Sequence, residues 1–204
     1  GATYSTADTV RPALQIVKTK PGNSIVSSCF ILVRPSATGE NEVLAMGDCA
    51  INIKPTEDEL VEIAGETAKC ARVFGMDPQV AFLSYSTLGS GKGEDVDKMR
   101  NAANKAKAKY PELPIEGELQ FDAAVSPRVA RTKCKDSAVA GHANTFIFPD
   151  INAGNIGYKI AQRMGNFEAY GPILLGLNAP INDLSRGCNA IEVYSMAIIT
   201  AALA

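Results

Sequence analysis

The chain has no tryptophan, one histidine (His142) and no Cys-x-x-Cys spacing anywhere in its 204 residues. A single imidazole cannot supply the multi-histidine sets of most zinc sites, and it leaves acid–base work to carboxylates, lysine or serine. The five cysteines (Cys29, Cys49, Cys70, Cys134 and Cys188) are odd in number and widely spaced. That argues against a disulfide framework and for free thiols in a reducing cytoplasm. No apolar run approaches the ~18–20 residues of a membrane-spanning helix, and residues 1–10 are polar, unlike a secretory leader. Charge imbalance is also missing. Twenty Lys+Arg stand against 22 Asp+Glu, a formal net charge of −2, which removes the electrostatic case for a nucleic-acid or membrane-surface partner.

What is present is an ordinary globular composition, 46% hydrophobic and 21% charged. The length suits one large domain or two small ones. Apolar patterning alternates between strand-like and helical stretches. Ser5 and Asp8 cap a helix running through Arg11, Leu14 and Val17. Residues 24–33 and 42–46 read as strands joined by a Pro/Gly-containing turn. The Thr56–Glu59 capping box opens a helix that Gly75 stops. Residues 79–85 form a continuous apolar strand, followed by a polar helix over 94–109 and a short strand over 115–119. A short helix over 128–134, a strand over 145–148, a helix over 155–164, a strand over 169–174 and a helix from Ile191 complete the pattern. This order predicts an α/β protein, three-layer α/β/α, with a largely parallel sheet. In such sheets ligands bind beyond the carboxyl ends of the strands, which points to the loops 84–93, 148–155 and 174–187.

The first of these, Ser86 to Gly93, imitates a P-loop but fails the pattern. It has Ser86 where a glycine is required and Gly93 where Ser or Thr must follow the lysine. What remains are backbone amides, the Ser90 hydroxyl and the Lys92 ammonium, groups suited to a phosphate or carboxylate. Asp150 or Asn152 reads as a cap for the following helix, and Asn155 in the same stretch is a substrate-binding candidate. Glu116, Glu118 and Asp122 bracket a strand end, but without a further ligand they make a poor metal set, and no metal is expected. The most unusual segment is Asn182-Asp183-Leu184-Ser185-Arg186-Gly187. A Ser–Arg pair at a helix entrance can hold an oxyanion, and Glu192 lies about a turn and a half further on as a base or electrostatic partner. The competing reading is a local Asp183–Arg186 ion pair that fixes the loop.

This segment, with Gly176-Leu177, Pro180-Ile181 and Cys188 around it, closely resembles the C-terminal signature of the phosphate acetyltransferase (phosphotransacetylase) family. Residues 6–15 (TADTVRPALQ), 47–50 (GDCA), 83–86 (LSYS), 115–124 (IEGELQFDAA), 148–150 (FPD) and Gly154-Asn155 resemble family blocks in the same order. The resemblance implies an isocitrate/isopropylmalate dehydrogenase-like fold and reversible acetyl transfer between CoA and inorganic phosphate, by direct attack of CoA thiolate on acetyl phosphate. It implies no tightly bound cofactor, with CoA or acetyl-CoA, acetyl phosphate and phosphate as substrates, a homodimer and a cytoplasmic location. On this resemblance Ser185 contacts the transition state, Arg186 and Arg11 bind phosphate, and Glu192 stands where the family carries a basic Asp. The resemblance also implies that 1–29 and 171–204 are parts of a first, incomplete α/β domain and 30–170 is most of a second. It further implies that the chain is a C-terminal portion, inactive alone. Phosphate butyryltransferase is a close alternative. A non-catalytic acetyl-CoA-sensing domain, of the kind appended to some malic enzymes, is another.

Overall fold

The computed structural model describes residues 3–184 and 186–204 of the chain. Its strands, β1 (Ser27–Pro35), β2 (Asn41–Gly47), β3 (Val80–Leu83), β4 (Ile115–Leu119), β5 (Thr145–Ile147) and β6 (Glu168–Leu175), form one sheet in the order β4-β3-β5-β2-β1-β6. The helices are α1 (Thr6–Ile16), α2 (Glu57–Val73), α3 (Glu94–Lys109), α4 (Phe121–Val125), α5 (Pro127–Lys133), α6 (Ile151–Met164) and α7 (Ala190–Ala202). The sheet is mixed, which corrects the expectation of a largely parallel one. β2, β5, β3 and β4 pair in parallel, whereas β1 runs antiparallel to both β2 and β6. The short stretch 36–40 between β1 and β2 forces this. A parallel return needs a crossover of a dozen or more residues, and so few can only close a hairpin.

Side-chain alternation separates the layers. Val80, Phe82 and Ile147 face α2 and α3, packing on Leu60, Ile63, Met99 and Ala103. Ala81, Leu83 and Phe146 face the opposite side, with Ala123, Ala130 and Ala153 of α4, α5 and α6. Near the other edge, Ile173 and Leu175 of β6 share a core with Cys70 of α2 and with Met196 and Ile199 of α7. A strand's two faces each need a cover, and three layers supply both.

Local chemistry explains the element ends. Thr56 and Glu59 form a complete reciprocal capping box before α2. Acidic residues in the first turn of α3 and lysines in its last complement the helix dipole. β1 begins at Ser27, three residues later than the expected Ser24. The backbone N–H groups of Ser24 and Ile25 donate to the buried Glu62 carboxylate instead of to a neighbouring strand. Residues 121–125, unassigned in the sequence, form the short helix α4 on buried Ala123 and Ala124.

Candidate active site

A cleft of about 570 Å³ opens beside the β1–β6 edge, between α6 and the segment that leads into α7. Three local arrangements build it. The first begins at the carboxyl end of β2, where the buried Asp48 carboxylate gathers donors from a whole turn. It accepts the Ser28 hydroxyl, the backbone N–H groups of Ala50 (2.9 Å), Ile51 (3.1 Å) and Asn52 (3.0 Å), and the Asn52 side-chain amide (2.6 Å). So many donors hold the turn in one conformation and offset the cost of burying the carboxylate.

The second arrangement is α6, capped by Asp150, whose side chain accepts the Ala153 N–H at 3.0 Å. Gly154 lies directly on the turn after β2, where a Cβ would collide with the Asp48 carbonyl oxygen. That close approach lets the Asn155 amide donate to the Cys49 carbonyl at 3.0 Å. One turn on, Lys159 donates to Asn155 Oδ1 at 2.7 Å. Arg163 follows four residues later, so Asn155, Lys159 and Arg163 share the face of α6 that lines the cleft.

The third is an irregularity between β1 and β6 at Phe30. Opposite it, Gly171 has φ +156°, and a Cβ there would meet the Phe30 ring at 2.6 Å. The glycine therefore leaves room for the ring, which stacks on Tyr158 with centroids 3.9 Å apart and planes 13° off parallel. This aromatic pair lies under the cleft. Burial raises the Tyr158 pKa and keeps the phenol protonated.

The segment beyond β6 closes the site. Asn182 accepts the Leu174 N–H at 2.8 Å and donates to Thr200 Oγ1 at 2.8 Å, tying the end of β6 to α7. Asp183 is buried, whereas Arg186 is exposed on the cleft wall. Glu192 also lines the cleft, at position N3 of a capping box. Its Oε2 accepts the Asn189 N–H at 2.8 Å, and Asn189 Oδ1 accepts the Glu192 N–H at 3.0 Å. Ser185 lies outside the described residues.

The fold thus brings together Asn155, Arg186 and Glu192 of the residues singled out in the sequence. It does not bring Arg11, Ser90 or Lys92 to this cleft. Arg11 is two-thirds exposed on α1 beside Asp8, at 3.6 Å, while Tyr4 from the same end of the chain does line the cleft. Ser90 and Lys92 follow β3, four strand positions from β6, or roughly 19 Å at the usual interstrand spacing. Their loop is pinned to the fully buried Glu118, which accepts the Ser86 hydroxyl (2.8 Å), the Gly89 N–H (2.7 Å) and Arg100 Nε (2.9 Å). Burial alone would raise the Glu118 pKa. Arg100 and the other donors outweigh it and hold the carboxyl below its ordinary value. The carboxylates that bracket this strand end do not converge on a metal position. Glu116 pairs with Lys107 at 2.7 Å, Glu118 with Arg100, and Asp122 with Lys133 at 3.1 Å.

Sequence reasoning missed Lys159, Arg163, Phe30 and Tyr158. The cations had a readable signal: Asn155, Lys159 and Arg163 recur at four-residue steps along one helix face. The aromatic pair had none, because it joins a strand to a helix more than a hundred residues away.

In this three-layer α/β fold the cleft thus combines Lys159, Arg163 and Arg186 with the carboxylates of Asp183 and Glu192 over an aromatic pair. Comparison with known proteins then supplies the assignment. Residues 1–201 match the family described as phosphate acetyl/butaryl transferase, and the chain belongs to that family. It is 57% identical over its whole length to the phosphate acetyltransferase of Bacillus subtilis (strain 168), of which it covers 62%. A crystal structure of a phosphotransacetylase from Streptococcus pyogenes superposes with a TM-score of 0.93 at 60% identity, covering 99% of this chain and 60% of that one. The EutD phosphotransacetylase from Staphylococcus aureus gives 0.91 at 52% identity, covering 99% and 61%. A branched-chain phosphotransacylase from Enterococcus faecalis V583 shares the fold, with a TM-score of 0.74 at 23% identity. The chain spans about 62% of the length of these curated relatives.

Proposed function

We propose that this chain forms part of a phosphate acetyltransferase, which moves an acetyl group reversibly between CoA and inorganic phosphate. The observation that carries the proposal is the convergence of Arg186, Glu192 and the α6 cations on one cleft. In the direction of acetyl-CoA synthesis, a carboxylate takes the proton from the CoA thiol. The thiolate attacks the acetyl carbonyl, the new C–S bond forms, and the C–O bond to phosphate breaks. Arg186 meets the charge that develops on the carbonyl and the departing phosphate, through a fork of N–H donors suited to both. Glu192, on the cleft wall, is assigned the role of base. Among the described residues its Oε1 has no hydrogen-bond partner, whereas Oε2 is held by the Asn189 N–H. Ser185, next to Arg186 in sequence, is assigned a hydrogen bond to the transition state. Arg11, Ser90 and Lys92 remain substrate-binding candidates only for parts of an extended substrate such as CoA that reach beyond the cleft.

The acetyl reading is preferred to the butyryl one because relatives at 52–60% identity are acetyltransferases by name. The dehydrogenase-like fold, the homodimer and the cytoplasmic setting belong to the same proposal. So does the division into 1–29 with 171–204 and 30–170, although both junctions run through the paired strands β1 and β6. The test is acetyl-CoA formation by the full-length protein from acetyl phosphate and CoA. Arg186→Ala is expected to lower kcat by about 10²–10³-fold. No acetyl-CoA formation overturns the activity, and full activity in Arg186→Ala overturns the site.

A further inference from the structure

Asn155 lines the cleft, yet both ends of its amide are committed within the protein. Its Nδ2 donates to the Cys49 carbonyl at 3.0 Å, and its Oδ1 accepts the Lys159 ammonium at 2.7 Å. The amide has one workable orientation. Turned over, it would set an oxygen against the Cys49 carbonyl and an NH₂ against an ammonium, losing both bonds. The anchor is rigid as well, because Cys49 follows the Asp48 carboxylate that gathers its turn, and Gly154 presses α6 onto that turn.

Lys159 stands at the other end of this chain of contacts. Its ammonium has three donors, of which Asn155 takes one. Among the described residues no carboxylate neutralises it, and the Tyr158 ring lies 5.8 Å away. A lysine with no ion-pair partner usually wanders in solvent, and holding it costs side-chain entropy. Here a buried backbone carbonyl fixes an asparagine, and that asparagine fixes the lysine on the wall of a cleft shared with Arg163 and Arg186. Such an arrangement suits a phosphate, which can use the free N–H donors of the ammonium, and the positive charge of Lys159, Arg163 and Arg186 on the same cleft outweighs the carboxylates of Asp183 and Glu192.

We infer that Lys159 binds a phosphate group of the substrate and that Asn155 is its positioning residue, acting through Lys159 and not on the substrate. The inference rests on the transferase reading above. Two sources of the phosphate fit: the acetyl phosphate–inorganic phosphate pair, or the nucleotide end of CoA.

The test compares KM and kcat of the full-length protein carrying Lys159→Ala, Asn155→Ala or both, with CoA, dephospho-CoA and inorganic phosphate as varied substrates. Lys159→Ala is expected to raise KM for one phosphate-bearing substrate about 10-fold with kcat little changed. Asn155→Ala is expected to raise the same KM by about 3- to 10-fold. The double variant should be no worse than Lys159→Ala alone, and Lys159→Arg should keep most of the affinity. A penalty seen with CoA and lost with dephospho-CoA assigns the 3′-phosphate of CoA. A penalty in KM for inorganic phosphate assigns the transferred group. Unchanged KM values in Lys159→Ala, or additive losses in the double variant, overturn the inference while wild-type turnover leaves the functional reading standing. A wild type that forms no acetyl-CoA overturns both. If Asn155→Ala does not fold, the exposed Lys159→Ala and Lys159→Arg pair decides alone.

Discussion

At the scale of single residues, Glu192 carries two duties that one substitution can separate. Its carboxylate closes the capping box of α7 and is also the only proposed base in the cleft. Glutamine serves at N3 of a capping box about as well as glutamate, but it cannot take a proton. Glu192→Gln should therefore lower kcat by about 10²–10⁴-fold while the thermal midpoint stays within a degree or two. Unchanged kcat would remove Glu192 from the chemistry and leave it a cap. The spacing from Ser185-Arg186 to Glu192 was readable in the chain, and so was the polar character of Asn155 beside a strand end. That the Asn155 amide faces Cys49 and Lys159 was not, because its partners are set by how α6 seats on the turn after β2.

At the scale of elements, helix ends were the most legible features. Ser5, Thr56 and Asp150 all cap as their side chains suggest, since an N-cap is a local competition between a short polar side chain and orphaned N–H groups. Thr56→Ala removes the acceptor of the Glu59 N–H and should cost about 1 kcal/mol, read as a lower chemical-denaturation midpoint at constant slope. No change would mean that tertiary burial of α2, through Leu60, Ile63 and Ala64, holds its first turn without the cap. Strand ends were less legible. Ile25 and Val26 have the apolar, β-branched look of a strand, but Glu62, far along the chain, takes the amides of Ser24 and Ile25.

At the scale of the whole molecule, two buried carboxylates make stability depend on acid. Glu118 is held ionised by Arg100, Ser86 and the Gly89 amide, and Glu66 by Lys20 and Lys69 at 2.6 and 2.7 Å. In both, burial works to raise the pKa, but the cationic and hydrogen-bond partners prevail and the folded value lies below the ordinary one. A lowered folded pKa means stability that is present above about pH 4.3 and lost as pH falls through that value and the folded pKa below it. The thermal midpoint should thus fall steeply below about pH 4.5, and Glu118→Gln should flatten part of that fall. A midpoint that does not move between about pH 6 and 3 would show that these pairs contribute nothing to folding.

The amino-acid sequence by itself determined the order of the strands and longer helices, the caps at Ser5, Thr56 and Asp150, the α/β class and the chemical character of the segment from Asn182 to Glu192. These depend on residues within a few positions of one another, so periodicity and side-chain chemistry suffice to read them. Only the tertiary structure decided which loops meet. The strand order sends the loop after β3 toward one edge of the sheet and the segment after β6 toward the other, which separates Ser90 and Lys92 from Arg186. The same order seats α6 across the turn after β2, so that Lys159, Arg163 and the Phe30–Tyr158 pair enter the cleft. Strand order follows from long-range packing of both sheet faces, and no local spacing along the chain encodes it.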